Sequence, residues 1–274
     1  MPEILALFTY SFMIKALIAS ILTAVLSATI GSFTVLRNLS TMGAAIAHAS
    51  LAGALVAFFF GVEPAIGATI LSVFFALAAA YSGERGSGSM DIALGVTFGF
   101  SAALAAFMLS LTREYTVVAY SYLIGEVLGV TDDELLLLGV FTLASLILVL
   151  IFYKEIKFIT FDREAAEAMG VNASLFHYLL IVLIAVTTVV ELKVVGSILA
   201  VVFLVAPAAA ALEFSHSLEK MIILSILFAL SSSIMGILIS AVYNLPASPT
   251  IGILASLIYL LALVFSPKRK CCRI

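Results

Sequence analysis

Residues 174–212 read SLFHYLLIVLIAVTTVVELKVVGSILAVVFLVAPAAAAL. Only Glu191 and Lys193 carry charge in this stretch. A helix crosses the hydrocarbon core of a bilayer in about 20 residues, so the run is too long for one crossing and fits two. The polar residues 191–193 mark the boundary and predict spans at 174–190 and 194–212. Similar punctuation divides the rest of the chain into apolar blocks at 8–36, 41–60, 64–82, 91–111, 133–153, 218–243 and 249–265. The apolar runs are continuous and do not alternate, which argues against a transmembrane β-barrel. The expected fold is all-α, a polytopic transmembrane helical bundle of eight to nine spans in one domain, 1–274. Segment 115–130 is shorter, carries Glu126 and is interrupted by Gly125 and Gly129. It reads as an interfacial or re-entrant piece.

Composition leads to the same class. Of 274 residues, 64% are hydrophobic and 11% charged, and the mean hydropathy is +1.28. Soluble domains are about half apolar and about a quarter charged. So few charges cannot clothe a water-facing surface, which excludes a soluble enzyme, and the chain is far too apolar for disorder. The net charge of −3 and the absence of a basic patch before the last residues leave no nucleic-acid surface. Cys271 and Cys272 are adjacent at the end of the sequence and form no disulfide framework. Placing the C-terminus in the cytoplasm and alternating backwards leaves only Lys15, Arg113 and Lys193 of the thirteen basic residues outside. This agrees with the positive-inside rule and predicts a multi-pass protein of the cell membrane with its N-terminus outside.

The loop 154–173 is the longest cytoplasmic connection. Asp162 is suited to cap a helix, Glu164 falls where the helix dipole favours negative charge, and Gly170 is a natural stop. A short helix of about two turns is expected here, either as a surface helix or as a docking knob for a partner. Within the bilayer, His48 lies among small residues, Gly43 to Ala54. Small residues four apart let helices approach closely, and an ionisable side chain at that depth faces a cavity or partner. Neutral imidazole is also a common metal ligand, although a packed histidine bonded to a carbonyl or hydroxyl has the same signature. Pro207 predicts a kink inside its span. Pro246 and Pro249 predict a tight external turn between two spans. No phosphate-binding loop, His-Glu-x-x-His pair or Gly-x-Ser-x-Gly elbow is present, so the chain has neither an ATP site of Walker type nor a protease or hydrolase motif.

Five stretches in order carry a family resemblance. They are Gly31 to Arg37 followed by His48 to Gly53, Ser121 to Glu126, Phe161 to Gly170, Lys193 to Leu199 running into Ala206 to Ala210, and Leu245 to Thr250. Together they resemble the ABC-3 permeases, membrane subunits of prokaryotic zinc and manganese ABC importers. The resemblance implies a non-enzymatic transport subunit that holds no cofactor and works beside a separate ATP-binding subunit in the cytoplasm. It implies a second copy of itself and an extracytoplasmic protein that delivers zinc or manganese. It assigns Asp162, Arg163, Glu164, Glu167 and Gly170 to a coupling helix that contacts the ATPase, and His48 to the metal path. Pro207, Pro246 and Pro249, read from the residues alone, are candidate gating or helix-irregularity positions, with an architectural role as the default. The family pattern places an aspartate four residues before the histidine, where this chain has Ala44. Asn244 and Glu126 also depart from it. A permease for a chelated metal, such as a siderophore or cobalamin, and an ion-coupled secondary carrier are the alternatives. The last predicts inverted repeats.

Overall fold

The computed structural model describes residues 10–85, 90–111, 122–125 and 127–268. Ser121, Glu126, Arg113, Cys271 and Cys272 lie outside them. The described residues form ten helices of six residues or more: α1 (Ser11–Leu36), α2 (Ser40–Phe59), α3 (Pro64–Arg85), α4 (Met90–Leu111), α5 (Asp132–Ile151), α6 (Tyr153–Phe161), α7 (Arg163–Ala168), α8 (Ala173–Phe214), α9 (Leu218–Tyr243) and α10 (Ala247–Phe265). No strand occurs among the described residues. Eight of these helices are long and apolar enough to cross a membrane.

Side-chain ties between helix ends define two faces of the bundle. At one, Lys15 pairs with Asp132 at 2.7 Å and Lys193 with Glu134 at 3.6 Å. At the other, which we call the loop face, the Phe152 and Phe176 rings lie 5.5 Å apart, Lys157 pairs with Glu219, and Lys268 Nζ donates to the Leu212 carbonyl. Both ends of α8 therefore sit at the loop face while its middle reaches the opposite one. The 42-residue helix is a hairpin of two antiparallel spans joined at Gly196, the one residue in it with non-helical angles (φ 81°, ψ 163°). Among the described residues the helices thus run nine times between the two faces, and Lys15 and Lys268 sit at opposite faces.

The turn falls three residues beyond the polar boundary expected at 191–193. Charge does not break a helix, whereas a positive φ with extended ψ is open to glycine alone. Gly125, also at positive φ (70°), is pressed backbone to backbone against Val195 and Gly196, and a Cβ on either glycine would strike the other segment. Ser197 Oγ adds a bond to the Leu123 carbonyl at 3.4 Å. A Gly196→Ala variant combines this clash with backbone strain of about 1–3 kcal/mol, and its thermal unfolding midpoint in detergent will fall clearly below that of the parent.

Local chemistry sets the other boundaries. Thr131 and Glu134 form a reciprocal capping box at the start of α5 (3.3 and 3.1 Å). Asn244 ends α9 in the left-handed conformation (φ 55°), Pro246 caps α10, and Pro249 lies in its first turn, where its missing N–H costs nothing. The turn expected there is present. Pro207, by contrast, lies buried inside the second half of α8, and the departure from helical angles in α8 falls at Gly196 instead. Small residues make the close contacts: a Cβ on Gly53 would meet the Gly67 carbonyl, so α2 and α3 touch through their backbones. Several hydroxyls in the spans are satisfied within their own helix, as with Ser32, Thr34, Ser72 and Thr188 bonded to the carbonyl four residues back.

Candidate functional site

His48 lies on α2 with Ser40 and Ala44, a stripe at four-residue spacing that stays half-buried while most of the helix is covered. Its ring stands edge-on to Phe98 of α4, with centroids 4.6 Å apart. Among the described residues no group of three His, Cys, Asp or Glu side chains comes together. His48 is therefore a single donor, and Ala44 leaves it without a carboxylate on its own helix face. Ser40, at the foot of the stripe, also lines a crevice of about 580 Å³ with Asn38, Val201, Val205 and Tyr259, between the α1–α2 corner, the second half of α8 and α10.

The second candidate is α7. Asp162 Oδ1 accepts the Ala165 N–H at 2.9 Å, which caps the helix as its position predicted. The helix ends as Gly170 takes φ 86°, with its N–H on the Glu167 carbonyl and that of Val171 on the Ala166 carbonyl (both 3.0 Å). Ala166 is buried against the bundle. Arg163 bends back: its Nε donates to Glu167 Oε1 at 3.0 Å and its Nη2 to Ser174 Oγ at 3.1 Å, which ties α7 to the start of α8. It also lines a cavity of about 430 Å³ with Arg37, Asn38, Asp91 and His177. Arg163 thus positions the helix, while Asp162, Glu164, Glu167 and Gly170 remain exposed.

The sequence reading missed the apolar part of this knob. Phe161 is 62% exposed and Met169 77%, one on each side of α7. Large apolar side chains flanking a short acidic helix in a loop were the available signal. Next to the knob, the Tyr153 hydroxyl donates to Glu219 Oε1 at 2.9 Å, and Lys157 Nζ donates to the same oxygen. Burial, then the bond to Glu219, pushes the Tyr153 hydroxyl up to about 12. The tie is therefore intact at neutral pH and is lost as the pH rises towards that value. It fastens α6 to the first turn of α9.

The described residues form a multi-pass helical bundle with one exposed knob on its loop face, tied to α8 through Arg163 and Ser174. Residues 9–266 match the ABC 3 transport family, and the chain belongs to that family of membrane transport subunits. It is 35% identical to the "Manganese transport system membrane protein MntC" of Listeria monocytogenes, over 96% of this chain and 94% of that one. It is 33% identical to the "Manganese import system permease protein ScaB" of Streptococcus gordonii, over 95% and 94%. Among solved structures it resembles "PsaBC from Streptococcus pneumoniae in complex with Fab", with a TM-score of 0.86 and 31% identity over 98% of this chain and 97% of that one.

Proposed function

We propose that the chain is the permease of an ATP-driven importer of divalent metal, and that manganese rather than zinc is its main cargo. The manganese systems named among its relatives support the cargo, and the α7 knob is the observation that carries the mechanism. The loop face is the cytoplasmic one. It holds Arg37, Lys154, Lys157, Arg163, Lys220 and Lys268, against Lys15 and Lys193 opposite. A cytoplasmic ATPase subunit seats on Phe161, Met169 and the three carboxylates of Asp162, Glu164 and Glu167. Movement of the knob passes to α8 through Arg163 and Ser174, and to α9 through Glu219. Rocking of packed helices between two arrangements then alternates access. A second copy of the chain covers the half-buried stripe of Ser40, Ala44 and His48, so that two imidazoles face one path. A binding protein delivers the metal at the opposite face, where α5 begins with Asp132, Asp133 and Glu134.

Co-purification tests this reading. The tagged chain, co-expressed with its ATPase in detergent, is expected to retain the ATPase, and the complex in liposomes to import manganese only when ATP is supplied. Uptake by the chain alone, driven by an ion gradient, would contradict the reading and favour a secondary carrier.

A further inference from the structure

Arg163 borders a cavity of about 430 Å³ at the loop face. Five parts of the chain meet there: the α1–α2 corner with Arg37 and Asn38, the end of α3, the start of α4 with Asp91, the first residue of α7, and His177 near the start of α8. Among the described lining residues two guanidiniums stand against one carboxylate, so the cavity is positive before the imidazole is counted. That imidazole is buried, at 7% exposure. The one acid, Asp91, has its Oδ1 on the Thr41 hydroxyl at 3.3 Å. Like charges that converge on a partly enclosed space repel each other more than in open water, and an anion between them relieves this. The cavity also opens on the first turn of α4, whose leading N–H groups have no partner inside the helix and favour negative charge.

We infer that this cavity binds a phosphate-bearing anion at the cytoplasmic surface, held between Arg37 and Arg163. A guanidinium offers its donors in a planar fork that matches phosphate oxygens. The volume accommodates a phosphate group with carbon atoms attached, which is far more than a halide needs. Two sources share this chemistry, the head group of an anionic phospholipid and free phosphate. Basic pockets between spans on the cytoplasmic side are suited to the former, and α3 and α4, which border the cavity, are mostly uncovered by the rest of the chain. An anion bonded to both arginines joins α7 to the α1–α2 corner, and so to the helix that bears His48. The inference takes from the permease reading only that the loop face is cytoplasmic.

The test uses the permease–ATPase complex, stripped of lipid and then offered phosphatidylglycerol, phosphatidylcholine or inorganic phosphate. Native mass spectrometry counts bound lipid, and the thermal unfolding midpoint reports phosphate, since a ligand of the folded state raises it. With a lipid source, phosphatidylglycerol is retained in preference to phosphatidylcholine. With a free source, inorganic phosphate raises the midpoint more than chloride of equal ionic strength. In either case Arg37→Gln should weaken binding about tenfold or more. Asp91→Asn should strengthen it severalfold by removing a competing negative charge, an effect that damage to the fold would not produce. A parent complex that shows neither preference overturns the proposal, and so does unchanged binding in Arg37→Gln. Retention of the ATPase and ATP-driven uptake, read in the same preparation, judge the permease reading separately. If Arg37→Gln does not fold, Asp91→Asn carries the test, and unchanged or weaker binding there overturns the proposal.

Discussion

Phe161→Ser combined with Met169→Asp will leave the helical bundle folded and abolish ATP-driven metal uptake. Both side chains stand clear of the protein, at 62% and 77% exposure, so removing them empties no cavity in the core. Large apolar anchors surrounded by charge carry most of the energy at interfaces, about 2 kcal/mol or more each. Loss of one such anchor weakens ATPase binding about 30-fold, and loss of two is expected to release the subunit altogether. The experiment reads three quantities: the far-ultraviolet dichroism of the variant, retention of the ATPase on a tagged permease, and uptake. Retained helicity with lost ATPase and lost uptake is the expected pattern. An ATPase that stays bound to the double variant would remove the apolar part of the knob from the contact and leave Asp162, Glu164 and Glu167 to carry it. A companion change, Arg163→Ala, should act differently. It cuts the ties to Glu167 and Ser174, so the ATPase still binds while hydrolysis and transport lose their coupling.

His48→Ala is the second large effect. Replacing an orienting neighbour of a metal ligand costs about 10- to 100-fold, and removing the proposed ligand itself should cost at least that in manganese uptake. ATPase retention should stay at the parental level, since α2 is remote in sequence from the knob and His48 has no bond to it. Phe98→Ala provides the contrast. The edge-on ring contact is worth about 0.5–1.5 kcal/mol, so its loss should alter uptake only a few-fold. Equal effects of the two variants would assign His48 a packing role.

The parts of the fold that obey local rules were readable in the chain. Asp162 caps α7 and Gly170 stops it because both act on backbone groups within four residues. The crossings at 174–190 and 194–212 were readable because a run of that length cannot lie within one bilayer thickness. What depends on distant neighbours was not readable. The corner moved from the polar boundary at 191–193 to Gly196 because Gly125, seventy-one residues earlier, approaches too closely for any side chain. Pro207 signalled an irregularity that the structure places eleven residues earlier in the same helix. Glu191 looked like the edge of a span, yet Ser27 draws it into the core from 164 residues away. His48 was visible as an unusual residue among small ones, but its contact with Phe98 and its half-open stripe came only from the packing of α2 on α4.

Metal uptake tests the central claim most directly. Cells stripped of their own manganese and zinc importers would express the chain with its ATPase and binding protein, and cell metal would be counted by mass spectrometry. The account predicts a gain in manganese that requires an active ATPase, exceeds any gain in zinc and vanishes in His48→Ala. A fully assembled complex that hydrolyses ATP yet accumulates neither metal as the free ion would contradict it and direct the search to a chelated cargo.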